Sequence, residues 1–252
     1  MQLKKLAPQL ALACLAMTGA AAWAEEPASS LSYNIGVVSD YRYRGISQSG
    51  RDPALQGGID YADKSGFYVG TWASTIKWIK DSSFPPVSAK GPVEVDIYGG
   101  YKGAINDQFS YDVGGLYYWY AGNSYKNITG ANANTFEIYG AITYSVATLK
   151  YSHSLTNLFG TPDSHGSGYL DLTLNFDLGN GWSLAPHVGH QRIAHWYSYT
   201  DYSLTVSKDF GDSLVASLGV VGTDKKNFFL LPGTGTKDLG KPMLVAGLKK
   251  TF

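Results

Sequence analysis

A single cysteine, Cys14, sits near the start of the 252-residue chain, so no disulfide can brace whatever fold follows. Charge imbalance is missing too. Lys plus Arg number 20 and Asp plus Glu number 20, which excludes nucleic acid as a partner and a polybasic attachment to a membrane surface. Past the N-terminal segment there is no run of about 18 apolar residues, which rules out a spanning helix. No window keeps a 3.6-residue period, which rules out a helical bundle. The five histidines show no metal-ligand spacing, and no cofactor fingerprint occurs; neither metal nor cofactor is expected.

What is present begins with MQLKKLAPQLALACLAMTGAAAWA. Lys4 and Lys5 precede an apolar stretch, and Ala22-Trp23-Ala24 supplies an A-x-A cleavage site before Glu25-Glu26. Residues 1–24 therefore read as a secretory signal peptide and residues 25–252 as one exported domain. All 19 tyrosines and all but one of the 30 glycines lie in that domain, which reads as all-β.

Twelve segments alternate in character: 31–44, 54–62, 67–78, 93–102, 109–120, 135–144, 148–156, 169–178, 183–192, 201–207, 214–222 and 244–252. Their lengths approach the 9 to 11 residues or so that a tilted strand needs to cross a bilayer. The connections alternate as well. GISQSGRDP, IKDSSFPPVSAKGP, AGNSYKNITGANAN, NLFGTPDSHGSG and TDKKNFFLLPGTGTKDLGKP are long and polar, IAHWYSYT is of middling length, and DKSG, GAIND, SVA, GNG and KDFGD are short turns. An even strand number with short turns at one end and long loops at the other is the pattern of an up-and-down outer-membrane barrel, with loops extracellular and both termini periplasmic.

The two faces of each segment fit the same reading. In NIGVVSDYRYRGISQSG, residues 34–50, Ile35, Val37, Ser39, Tyr41 and Tyr43 form one row, and Asn34, Gly36, Val38, Asp40, Arg42 and Arg44 the other. Leu170, Leu172, Leu174, Phe176 and Leu178 likewise oppose Asp171, Thr173, Asn175 and Asp177. The apolar rows are expected to meet lipid and the polar rows the lumen, because an Arg at mid-depth on the lipid face costs about 2 to 4 kcal/mol. Aromatics gather in two belts: Tyr41, Tyr43, Trp78, Trp119, Phe136 and Tyr202 at the loop side, and Tyr61, Phe67, Tyr101, Phe109, Tyr144, Phe176 and Trp182 at the turn side. The chain ends in MLVAGLKKTF. A terminal aromatic on an alternating strand is similar to the C-terminal signal that the barrel assembly machinery reads, with Lys250 standing where an apolar residue is usual.

The words VVSDYRYRGISQSGRDPALQGGIDYADKSGFYVGTWAS, residues 37–74, together with VEVDIYGGYKG and Phe252, resemble the TorF porin family, bacterial proteins without a settled function. The resemblance implies an outer-membrane channel. It brings no substrate and no catalytic residue.

Parity nominates the lumen residues. Asp40, Gln56, Asp60, Glu94, Asp96, Asp112, Glu137, Asp171, Asp177 and Asp201 are expected inside, with Arg42, Arg44, Lys102, Lys150, His187 and Gln191. Carboxylates outnumber fixed positive charges there, so an open lumen would favour cations and small polar solutes. Arg42 and Arg44 would oppose Asp40, Glu94, Glu137, Asp171 and Asp201 in the extracellular third, with the GISQSG segment able to fold inward. Outer-membrane lipid and lipopolysaccharide are the expected surroundings. Twelve strands lie between filled and wide barrels, so a plugged structural or adhesive barrel is the alternative. A lipid hydrolase is the other, resting on His165 and Ser167 or on His153 and Ser154; the first pair lies in a loop, and adjacent residues on a strand face opposite ways.

Overall fold

The computed structural model describes residues 29–252. The expected signal peptide, with Cys14, lies outside the described residues. Twelve long strands form the wall: β1 Ser30–Val38, β2 Ala54–Ala62, β3 Phe67–Thr75, β4 Val93–Ala104, β5 Phe109–Tyr120, β6 Thr135–Tyr144, β7 Ala147–Ser154, β8 Gly168–Leu174 continued by Phe176–Gly179, β9 Trp182–Arg192, β10 Ser198–Asp209, β11 Leu214–Thr223 and β12 Met243–Thr251. Each pairs antiparallel with the next, and β1 pairs with β12, Asn34 opposite Thr251 and Val37 opposite Leu248, so the sheet closes on itself. An even count returns the chain to its starting side, where the Phe252 amide donates to the Tyr33 carbonyl at 2.8 Å.

The sequence alternation becomes an inversion of ordinary burial. On β8, Leu170 is 47% exposed while its neighbour Asp171 is 2% exposed. Leu31, Ile35, Ile59, Val69, Ile97 and Leu218 are exposed in the same way on other strands. A closed sheet that turns aliphatic side chains outward and carboxylates inward is stable only if its outer solvent is apolar. Short turns join the strands at one end; Asn180 and Gly181, with φ of 52° and 75°, make the left-handed pair that a two-residue hairpin demands. At the same end Lys250, on the outward row of β12, bends its ammonium to the Asp212 carbonyl and over the Phe252 ring, which is how a charge survives in that row.

The expected segments 67–78 and 148–156 end slightly early, at Thr75 and Ser154, and the first expected strand is much shorter than its alternation. β1 stops at Val38, not at Arg44, and after Ser39, whose amide still donates to the Ala246 carbonyl of the wall at 2.8 Å, the chain turns to the interior. There Arg42–Tyr43 pairs with Ile46–Ser47 in a two-stranded hairpin turned by Arg44 and Gly45, φ 46° and 78°. Only glycine fits the second position, because a Cβ on Gly45 would lie 2.6 Å from the Asp201 Cβ and 2.7 Å from the Gly222 carbonyl oxygen. Tyr41, expected on the lipid row, is consequently buried, and Tyr43 and Trp78 pack inside with it. Trp119, Phe136 and Tyr202 of the loop-side belt do face outward. Loops 76–92 and 121–134, each with one short helical turn, fold over the mouth and bury Ile76, Ile79, Ala89 and Ala133 against Tyr118 and Tyr120.

Candidate functional site

The inner hairpin crosses the lumen at the loop end and is bonded to the wall on the far side from β1. Arg44, at its tip, makes a two-pronged ion pair with Glu137 of β6, Nη2 to Oε2 at 2.7 Å and Nη1 to Oε1 at 3.1 Å. Its Nη1 also donates to Gln191 of β9 at 2.5 Å, and the guanidinium lies 4.2 Å from the centre of the Tyr169 ring of β8. The Tyr118 hydroxyl donates to Glu137 at 3.2 Å and bonds to the Tyr43 hydroxyl, so hairpin and wall share one network. Both charges are almost wholly buried, which makes the pair costly to break from one side.

Arg42 has a different task. Its Nε donates to Asp40 at 2.8 Å and its Nη1 faces the carbonyls of Gly45, Val221 and Lys241 at 2.9 to 3.1 Å. Asp40 accepts from Ser47 at 2.5 Å and Ser49 at 3.3 Å as well. These bonds tie the hairpin to itself and to the β11–β12 side. Tyr41 donates to Glu94 of β4 at 2.7 Å and completes a third anchor. Asp40, Arg42 and Arg44 thus reach the interior through the loop, not through strand parity as expected. A β-strand would have spread them along one wall; the hairpin carries Arg44 across the bore.

The remaining nominated residues except Asp177 lie on the inner face of the wall. Asp171 bonds His187 at 2.6 Å and accepts from Thr173 at 2.9 Å, while Asp201 accepts from the Tyr169 hydroxyl at 3.0 Å and stands 3.7 Å from the other nitrogen of His187. Gln56 donates to Ser74 at 3.3 Å. Nearer the turns, Tyr98 bonds Asp60, and Tyr68 links Asp112 at 2.6 Å to Tyr139, over whose ring the Lys150 ammonium sits at 4.1 Å. Lys102 approaches the Tyr68 ring from the exposed end. Asp96 keeps one buried carboxylate oxygen without a partner. Asp177, expected in the lumen, lies exposed at the rim instead: the strand pairing shifts register between Asp177 and Gly179 next to the turn, and its carboxylate accepts from the Gly179 amide at 2.8 Å.

Tyrosine was the residue type missed among the nominees. Tyr98 shares parity with Glu94 and Asp96, Tyr139 with Glu137, and Tyr169 with Asp171, so alternation already marked them as inward. Small neighbours make their room: a Cβ on Gly189 would fall 2.0 Å from the Tyr169 hydroxyl. The suggested nucleophile pairs do not meet. Ser167 is buried with its hydroxyl donating to the Ser164 carbonyl at 2.5 Å while His165 is exposed, and His153 and Ser154 diverge, His153 toward Tyr151 and Ser154 to the Thr156 carbonyl.

A family model described as "Bacterial protein of unknown function (Gcw_chp)" matches residues 22–252. The chain belongs to that family. No curated protein resembles it in sequence. Among solved structures, the KdgM porin superposes with a TM-score of 0.56 at 9% identity, over 88% of this chain and 98% of that one. The COG4313 outer membrane channel from Pseudomonas putida F1 superposes with a TM-score of 0.50 at 12% identity, over 90% and 96%. Identities this low carry the fold, and the fold of this Gcw_chp chain is that of outer-membrane channels.

Proposed function

We propose that the protein is an outer-membrane channel for small polar solutes, leaning toward cations, with its constriction set by the inner hairpin. The hairpin is the observation that carries this reading. It spans a closed barrel with an apolar exterior, and it is fixed at its tip by Arg44 and at its base by Arg42. Below it, the wall carries Asp60, Asp96 and Asp112 against Lys102 and Lys150, and beside it stand Glu94, Asp171 and Asp201; this excess of carboxylates favours cations. A second KdgM porin structure is of a complex with disordered oligogalacturonate, which supports solute passage as the general use of the fold. The narrower kinship with the TorF porins is part of the same reading, as are a cleaved segment 1–24, loops facing outward, lipopolysaccharide around the barrel, and recognition of Phe252 by the assembly machinery.

Single-channel recording in planar bilayers, with reversal potentials across a salt gradient, tests it. A small conductance with cation preference is expected. Anion preference would reject the lean. A barrel that stays silent even when residues 40–52 are replaced by a short glycine–serine linker is a structural plug, and the channel reading then falls.

A further inference from the structure

Above the hairpin, at the loop end, lies a cavity of about 400 Å³. Its floor is the hairpin itself, Tyr43 to Gln48, with Gln191 beside it. Two groups of rings wall it. Trp78, Tyr120 and Phe159 belong to one, in which Trp78 meets Tyr120 edge-on at 5.3 Å and Phe159 meets Tyr43 at 5.7 Å. Tyr197, Tyr199 and Phe229 belong to the other, with Tyr199 edge-on to Phe229 at 5.1 Å. Among the described residues no ring pair bridges the two groups. The space between them is bounded by ring faces and edges.

We propose that this cavity is a recognition site for an uncharged, flat aromatic molecule; the proposal rests on the channel reading and adds to it a neutral ligand bound at the mouth, above the carboxylate-rich wall that gives the pore its lean. Three features decide the chemistry. First, Ile193, Leu230, Leu231 and Leu239 join the rings in the lining, so a largely apolar body fits it, with Gln48, Thr161 and Gln191 as side-chain polar groups beside it. Second, among the described residues the two groups of rings make no ring contact with each other, and the gap between them is bounded by faces and edges against which a further flat ring can pack. Third, the floor is already neutral. Arg44 is paired with Glu137, so a carboxylate ligand would have to compete with that pair, and no Asp or Glu lines the cavity to hold a cation.

Backbone geometry adds an independent sign. Phe159 holds φ 47° and ψ 43°, a left-handed conformation that a bulky residue rarely adopts, and its amide is fixed there by the Thr135 hydroxyl at 2.7 Å. The strain places its ring against Tyr43 and Tyr118 at the heart of the first wall.

The test uses 4-fluoroacetophenone, observed by fluorine NMR, with the full barrel in lipid nanodiscs and empty nanodiscs as the partition control. Saturable binding above that control is expected. Phe159→Ala should weaken it about fivefold or more, through one lost ring contact. Phe228→Ala should act in the same direction from the second wall; Phe228 lines the cavity, is 46% exposed and meets Tyr197 and Phe229 edge-on, so the heat-modifiable folded band of this variant is checked alongside its binding. Trp78→Phe shrinks one ring of the first wall from indole to phenyl and should weaken binding about twofold to fivefold. Binding no greater than in empty nanodiscs overturns the proposal, as does equal binding by all three variants. So does tighter binding of methyl β-galactoside, benzoate or phenyltrimethylammonium. Conductance recorded on the same preparations separates the two readings: current without ketone binding removes the site and keeps the channel, whereas ketone binding without current keeps the cavity as a binding site and removes the channel.

Discussion

Replacing Arg44 by glutamine should do two measurable things at once. Glu137 would keep the Tyr118 hydroxyl at 3.2 Å as its remaining bond, in a position only 2% exposed. Breaking a buried ion pair from one side costs about 3 to 5 kcal/mol, and here the two-pronged geometry and the Tyr169 ring contact argue for the full effect, while lumen water reaching the vacated space argues for less; about 3 kcal/mol is the expected loss. Glu137→Gln should cost a similar amount, because it strands the guanidinium. The double variant Arg44→Gln/Glu137→Gln removes both charges and should lie within about 2 kcal/mol of the parent, since no buried charge is left unpaired. Urea unfolding in lipid vesicles, read from the heat-modifiable folded band on mild-detergent gels, gives the cycle. Single-channel conductance gives the second readout, and it should rise in both single variants because the tip of the hairpin loses its anchor. Additive stability losses would refute the pairing argument. A coupled loss of stability with unchanged conductance would reduce Arg44 to a structural salt bridge and remove the hairpin from the pore.

A cysteine introduced at Lys126 or Thr236, both exposed in the long loops, should be labelled by an impermeant maleimide on intact cells, and one at Lys64 in a short turn should not; the reverse pattern would invert the topology. Ser49 is unsuitable for this test because it is buried inside the hairpin. Leu172→Arg, on the outward row of β8, should destabilise the barrel by about 2 to 4 kcal/mol in lipid, and a loss below about 1 kcal/mol would show that this row does not meet hydrocarbon. In the first turn, the Asp63 carboxylate is held down to about 2 by hydrogen bonds from the Ser65 hydroxyl and amide and from Ser29. A depressed carboxylate stabilises the fold above its ordinary range and loses that contribution as pH falls through about 2. Asp63→Asn should therefore flatten the pH dependence of unfolding between about pH 4 and pH 2, and a profile identical to the parent's would contradict the turn geometry.

Alternation by itself determined most of this protein. A strand has period two, so Leu170, Asp171 and Leu172 assign their own faces without reference to any distant residue, and turn pairs such as Asn180-Gly181 mark where the chain must reverse. Strand number and the inward parity of Glu94, Asp112, Glu137 and Asp171 follow from such local rules. The same rule misled at residues 39–44. There the alternation continues in the letters, but β1 ends, because the pairs that decide the path of the chain are nonlocal: Arg44 with Glu137, Tyr41 with Glu94, Arg42 with the backbone of β11. No spacing within one segment encodes a partner some ninety residues away. The cavity was hidden for the same reason, since Tyr43, Trp78, Phe159 and Tyr199 come from four separate parts of the chain and look, in sequence, like belt or loop aromatics. Periodicity fixes which way a side chain points when its backbone is a strand; only the closed barrel, by bringing opposite walls within reach of one loop, decides where that loop goes and what it encloses.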